Sequence, residues 1–259
     1  MNLEAYRTDI NLRVRQETHA EYTVGKPLED LVDTALELEP HEALLDVGTA
    51  NGAFPIRLSQ KHTGRLVGLD FSSGMIALAK AQNTKVEFLE GDAVLLPFTD
   101  QSFDVVTARH MLYHVSNIEK ALLEAKRVLK PNGRFLALTN ADGYLADYWD
   151  VIEAQLGSKL VFRNFFLEHR SPKYFHTDLF QHIKSVFGAA KLEVIDQFLE
   201  FPNANAPLAY WNSMQAGFDI PTDAWADATA LLEVAFSQKC QMGSWRIWKG
   251  IAFIQATLE

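Results

Sequence analysis

The chain has 259 residues, 48% of them hydrophobic, enough to bury one large core with a cap left over but not two independent domains. Its 33 acidic and 24 basic side chains give a net charge of −9, so a phosphate backbone would be repelled over most of the surface and nucleic acid is not expected as a partner. The single cysteine, Cys240, excludes an internal disulfide, and no apolar run approaches the ~18 residues that cross a bilayer.

The first residues, MNLEAYRTDINLRVRQ, carry charge every few positions, unlike a secretion signal, so a soluble cytoplasmic protein with no membrane partner is expected. Residues 5–38 read as helical, and residues 1–40 are expected to cover the body that follows. Strand-like runs at 43–47, 65–70, 86–90, 103–108 and 133–139 alternate with helix-like runs near 53–60, 74–82 and 117–129. This βαβ series predicts an α/β fold, a parallel sheet with helices on both faces. In the last of these helices Ile118, Ala121, Leu122, Ala125, Val128 and Leu129 share one side, and the helix stops at Lys130-Pro131-Asn132-Gly133. An aromatic-rich stretch follows, with Tyr144, Tyr148, Trp149, Phe162, Phe165 and Phe166, and then a helix near 177–187. A sixth strand at 191–198 and a final one at 246–258 flank an irregular or helical stretch at 201–244. Segments 140–187 and 200–245 leave from the carboxyl ends of strands, where α/β sheets bind ligands, so they are expected to form a helical lid over a core of residues 41–139 and 188–259.

The sharpest feature is LLDVGTANG, residues 44–52, followed by Asp70 at the end of RLVGLD. Leu44, Leu45 and Val47 form a short buried strand, Gly48 and Gly52 let the backbone turn sharply against a ligand, and a helix starts at Ala53. Asp70 ends the next strand, where a carboxylate accepts hydrogen bonds from both hydroxyls of a ribose. The sign of charge sorts the candidate ligands. A pyrophosphate wants helix N–H groups and no nearby anion, whereas Asp46, two residues before the first glycine, repels it and attracts the ammonium and sulfonium of S-adenosylmethionine. Gly48, Ala50 and Ala53 also satisfy a loose G-x-A-x-x-A dinucleotide pattern, so a nicotinamide-dependent oxidoreductase stays open as an alternative. Gly91-Asp92-Ala93, after the third strand, offers an acceptor for an adenine amino group.

Taken in series, LLDVGTANG, VGLDFSSGMI, EFLEGDAVLLPFTDQSFDVVTARHMLYHV and ALLEAKRVLKPNGRFLALT resemble the successive motifs of class I S-adenosylmethionine-dependent methyltransferases, in the broad group that includes ubiquinone and menaquinone biosynthesis and many small-molecule enzymes. The resemblance covers about residues 40–140. It implies a Rossmann-like, doubly wound, seven-stranded and mostly parallel sheet whose last strand is antiparallel. It implies methyl transfer from S-adenosylmethionine to O, N or C of a small organic molecule, with S-adenosylhomocysteine as product. Asp46, Gly48, Thr49, Ala50, Asn51 and Gly52 would then hold the methionine end, Asp70 the ribose, Phe71, Ser72 and Met75 the flanks of the ring, and Gly91, Asp92 and Ala93 the adenine edge. Ala50 stands where the family usually has glycine, and its methyl is expected to fit if φ is negative.

Tyr22 is the first choice, and Tyr6 the second, for a ring face near the sulfonium. The fourth strand ends at Thr107-Ala108-Arg109-His110. There Arg109 is a candidate for orienting a carboxylate or the turn, and His110 and His114 are expected proton acceptors because imidazole titrates in the right range. His19, His169 and His176 are further candidate bases in the cover and lid. The Asn/Asp-Pro-Pro-aromatic element of base- and amide-methylating enzymes is missing, and no metal is expected because no His/Cys/Asp/Glu spacing suits one. A non-catalytic adenosyl-binding or interaction module is the remaining alternative.

Overall fold

Leu44 and Leu45 are adjacent in the chain, point to opposite faces of a strand and are both fully buried, as a strand must be when helices cover both sides of its sheet. The computed structural model describes residues 9–83, 85–169, 175–241 and 243–258, with 167–169 described by backbone alone. Its strands are β1 (Thr23–Val24), β2 (Leu44–Val47), β3 (Leu66–Asp70), β4 (Glu87–Glu90), β5 (Phe103–Arg109), β6 (Leu129–Asn140), β7 (Lys191–Phe201) and β8 (Trp245–Thr257). The helices are α1 (Ile10–Tyr22), α2 (Leu28–Leu36), α3 (Ala53–Leu58), α4 (Ser73–Gln82), α5 (Ile118–Val128), α6 (Ala146–Leu156), α7 (Arg163–His169), α8 (His176–Phe187), α9 (Asn205–Asn212) and α10 (Thr222–Cys240).

The strands form one eight-stranded sheet in the order β1-β7-β8-β6-β5-β2-β3-β4. Pairing from β6 through β5, β2, β3 and β4 is parallel, and β8 runs antiparallel between β6 and β7. The expected seven strands become eight because the N-terminal cover is not helical throughout. Thr23 and Val24 leave α1 and pair antiparallel with Leu199 and Phe198, before Gly25 at φ 130° turns the chain toward α2. A second correction concerns the end of α5. Leu129 already pairs with Phe103, and the ladder resumes only at Arg134 opposite Val105, so Lys130 to Gly133 bulge out of a strand rather than ending a helix.

Apolar periodicity accounts for the two layers. On α5 the side chains of Ala121, Leu122, Ala125 and Val128 meet Leu179, Ile183 and Phe187 of α8 over one face of the sheet. On the other face Val32 and Leu36 of α2, Phe54 of α3, and Ile76 and Ala79 of α4 pack on Leu44, Leu66 and Val105. Asn117 caps α5 by accepting from the Lys120 N–H at 2.9 Å, and Lys126 and Arg127 sit in its last turn, so both helix ends have suitable charge or hydrogen bonding.

A third core lies beyond the carboxyl edge of the sheet. The antiparallel β7–β8 pair runs past its neighbours to the pair Phe201–Trp245, and α6, α7, α9 and α10 pack on its end. The side chains there are large and aromatic. Trp211 stacks on Trp225 with centroids 4.1 Å apart and an interplanar angle of 11°, and Tyr148 stacks on Phe236 at 5.3 Å. Among the described residues no helix is long and apolar enough to cross a membrane.

Candidate cofactor and acceptor site

The turn after β2 is built from alternating left-handed residues, with Gly48 at φ 72°, Ala50 at 50° and Gly52 at 75°. A Cβ on Gly48 would lie 2.6 Å from the Met111 side chain, and one on Gly52 would lie 2.6 Å from the Phe88 ring. Both glycines are therefore required by backbone angle and by space. The N–H groups of Gly48 and Thr49 both donate to the Leu69 carbonyl, at 2.7 and 3.0 Å, tying the turn to β3. The condition set for Ala50, a negative φ, is not met. Its φ is positive, and the strain, about 1–2 kcal/mol for an L-residue, is held by its N–H donating to Asp70 Oδ2 at 2.8 Å.

Two carboxylates flank this turn. Asp46 is only 2% exposed and accepts from the Thr107 hydroxyl at 2.7 Å. Burial pushes its carboxyl above the ordinary carboxylate range, while the Arg109 charge and the Thr107 and Thr49 hydroxyls pull the other way. Asp70 spans its own turn, with Oδ1 accepting from Ser72 N–H at 2.9 Å and Oδ2 from Ala50. Burial raises it too, against the hydrogen bonds of Ser72, Ala50 and Phe71. Asn51 is buried with Oδ1 near the Ala53 N–H at 3.4 Å, and Thr49 keeps a buried hydroxyl with no hydrogen bond of good geometry.

Next in the chain to Asp70, Phe71, Ser72, Ser73 and Gly74 line a cleft of about 580 Å³ together with Glu90, Gly91 and Asp92. Phe71 is 58% exposed, an unusual state for a phenylalanine, and offers a ring face at the cleft. Met75, expected to flank the same ring, is 1% exposed and does not line the cleft. Its N–H is capped by Ser72 Oγ at 3.3 Å, and that first turn of α4 carries the side chain inward. Ala93 is also buried, and Asp92 Oδ1 accepts from the Val94 N–H at 3.1 Å.

Where β5 ends, Arg109 is already engaged. Its guanidinium pairs with Glu29 of α2 at 2.6 Å and lies 4.1 Å from the centroid of the Phe54 ring, so it clamps the N-terminal cover onto the sheet. His110 follows in the left-handed region at φ 51°, a conformation that concentrates at functional sites. The expectation that it titrates in a useful range is corrected. Burial first, then the charges of Arg109 and Lys249, lower it to about 3, so it is a neutral imidazole that holds a proton poorly. His114 sits in the 3-10 turn Leu112–His114 with its ring edge-on to Tyr113 at 4.6 Å.

Tyr22 does not turn toward these groups. Its ring packs on Phe201 at 5.4 Å, at the edge of the lid core, because α1 ends there and delivers Thr23 to the sheet. Tyr6 and the His169 side chain lie outside the described residues. His176 accepts from the Asp142 N–H at 3.0 Å and so fastens α8 to the loop after β6.

His19, offered by the sequence only alongside His169 and His176 as a candidate base, is brought into a polar cluster. Its Nε2 lies 3.1 Å from the Tyr144 hydroxyl, its ring is edge-on to Tyr210 at 5.5 Å, and its Nδ1 is buried without a hydrogen bond. Burial, Lys249, His110 and Arg15, in that order, hold it well below the ordinary imidazole range. Sequence reading misses Tyr144, Tyr210 and Lys249 as members of such a cluster. Nothing local marks them, since the tyrosines sit in aromatic-rich segments and Lys249 sits in a strand.

The family described as a methyltransferase domain matches residues 45–137. A demethylmenaquinone methyltransferase of Thermus thermophilus is 41% identical over 112 residues, 41% of this chain and 50% of that protein. The uncharacterized methyltransferase YcgJ of Bacillus subtilis is 28% identical over 201 residues, 76% of this chain and 73% of its own. The chain spans about half the length of the demethylmenaquinone methyltransferases it matches. The crystal structure of YcgJ shares the fold with a TM-score of 0.58 at 21% identity, over 89% of this chain and 97% of that one. A Haemonchus contortus phosphoethanolamine N-methyltransferase, solved with phosphomonomethylethanolamine and S-adenosylhomocysteine, does so with a TM-score of 0.59 at 15% identity, over 99% of this chain and 59% of that one.

Proposed function

We propose a methyl-transfer function from one premise: residues 45–137 match the methyltransferase-domain family and carry the motif series that resembles class I S-adenosylmethionine-dependent methyltransferases. In this reading the chain moves a methyl group from S-adenosylmethionine to O, N or C of a small organic molecule and releases S-adenosylhomocysteine. The demethylmenaquinone-methylating relative supports a small organic acceptor. The net charge of −9 supports an acceptor other than nucleic acid. A nicotinamide oxidoreductase and a non-catalytic module are not favoured beside the domain match.

The observation that carries the reading is the sign and place of Asp46, a buried carboxylate directly ahead of the left-handed Gly48. The cradle fits a cationic nucleoside on further grounds. Gly48 and Gly52 hold the turn tight against Met111 and Phe88, the Asp70 carboxylate stands at the end of β3 as an acceptor for a ribose, and Phe71 lines the neighbouring cleft. Asp46, Gly48, Thr49, Ala50, Asn51, Gly52 and Arg109 would surround the methionine end, Asp70 the ribose, Phe71 and Ser72 the ring, and Gly91, Asp92 and Ala93 the adenine edge. When bound, S-adenosylmethionine supplies a methyl carbon already activated by its sulfonium. The protein's task is then alignment and exclusion of water, and orientation accounts for most of the rate. Neutral His110, whose backbone N–H donates to Leu138 O at 2.8 Å, serves better as a positioning hydrogen-bond partner than as a proton acceptor. The lid segments 140–187 and 200–245 would close one domain over that site.

Calorimetry with S-adenosylhomocysteine tests the reading. Asp70→Ala is expected to weaken binding by at least about tenfold, since it removes the acceptor for two buried hydroxyls. Unchanged affinity sinks the ribose assignment, and a wild-type chain indifferent to S-adenosylhomocysteine sinks the function.

A further inference from the structure

We propose that the methyl acceptor carries an anionic oxygen, a carboxylate or an ionised hydroxyl, that binds among Lys249, His19 and His110; the proposal rests on the methyl-transfer reading. Lys249 points from β8 toward α1 and the lid and is 4% exposed. Its Nζ donates to the Thr23 hydroxyl at 2.7 Å, and among the described residues no carboxylate lies within ion-pair distance of it. A buried ammonium with a hydroxyl as its partner leaves much of its desolvation cost uncompensated.

Positive charge gathers around it. Arg15 and Lys249 both bear on His19, and Arg109 and Lys249 both bear on His110. Arg15 has the Ser213 carbonyl at 3.0 Å, and Arg109 has Glu29. The cluster thus holds cations and neutral imidazoles, and Lys249 is the cation in it with no acidic or carbonyl partner among the described residues. His19 Nδ1 is a second group with an unmet hydrogen bond. An oxyanion supplies the charge that Lys249 lacks, and His19, in the tautomer with a proton on Nδ1, donates a hydrogen bond to it. The walls suit an aromatic or otherwise flat acceptor, because the Tyr144 and Tyr210 rings flank His19. The site also lies beside the cradle, since His110 precedes Met111, whose side chain seals the Gly48 turn.

The probes are benzoate, 4-nitrophenolate and, as a cationic control, benzylammonium, titrated by calorimetry into the full chain with and without saturating S-adenosylhomocysteine. At least one anion is expected to bind, and benzylammonium to bind at least about tenfold more weakly. Binding of benzoate alone identifies a carboxylate acceptor, and binding of 4-nitrophenolate alone an ionised hydroxyl. Lys249→Met is expected to cost at least about tenfold in anion affinity while S-adenosylhomocysteine affinity is kept, and His19→Gln a smaller loss of about threefold. Equal affinity for anion and cation, no anion binding at all, or anion affinity unchanged in both variants overturns the proposal. Failure of the wild type to bind S-adenosylhomocysteine overturns the methyl-transfer reading instead, and the titrations without it still judge the anion site.

Discussion

The cradle under β2 and β3 and the lid over β7 and β8 are built by different physics. The cradle is backbone. Three left-handed residues, N–H groups of Gly48, Thr49 and Ala50, the buried carboxylate of Asp46 and the half-buried one of Asp70 come from short consecutive stretches of chain, so its geometry is local. The lid is side chain. Its aromatic core draws on α6, α7, α9, α10 and the ends of β7 and β8, and its shape exists only when these meet. On the proposed function, such a division would let a fixed cofactor site serve an acceptor site that changes independently, because Trp211 and Tyr210 lie outside the glycine turn.

That independence can be broken most forcefully through Trp211, which is fully buried, stacked on Trp225 and bonded through Nε1 to Thr229 at 3.0 Å. Trp211→Ala is expected to cost about 3–5 kcal/mol in urea denaturation and to leave S-adenosylhomocysteine affinity within about threefold of wild type. Affinity falling in step with stability would show the two regions to be one cooperative unit.

Lys249 sharpens the comparison from the side of charge. Burial lowers its amine from 10.5 to about 8, so the folded state binds fewer protons than the unfolded state between those values. The resulting penalty is fully present below pH 8 and fades as pH rises toward 10.5. Lys249→Met is therefore expected to be more stable than wild type at neutral pH, on the order of 1–3 kcal/mol, with the advantage shrinking through that window. Paired denaturation curves across pH read this directly, and a pH-independent difference contradicts it.

The smallest effect lies in the cradle. Ala50→Gly relieves a left-handed alanine but adds freedom to the unfolded chain, so a net gain of about 0.5 kcal/mol is expected. Thermal melting checks it, and a loss of stability would mean that the alanine methyl contributes packing.

Much of the cradle is legible in the amino-acid sequence. The spacing of Asp46, Gly48, Gly52 and Asp70 encodes strand, turn and strand end within one βα repeat, and local geometry follows from local sequence. Two points escape it. The φ of Ala50 depends on a hydrogen bond to Asp70, twenty residues on, and Met75 turns inward because Ser72 caps α4. The lid is visible there as aromatic richness and nothing finer. Tyr22 falls in a different place because Thr23 and Val24 pair with β7, an edge pairing that two residues cannot announce.

What the sequence determined by itself is therefore the α/β order, the glycine turn and the acidic strand ends, because periodicity and turn chemistry act over a few residues. The assembly of His19, Tyr144, Tyr210 and Lys249 was decided only by tertiary structure. Those four come from α1, the loop after β6, α9 and β8, and long-range packing alone buries a lysine that strand patterning would leave in water.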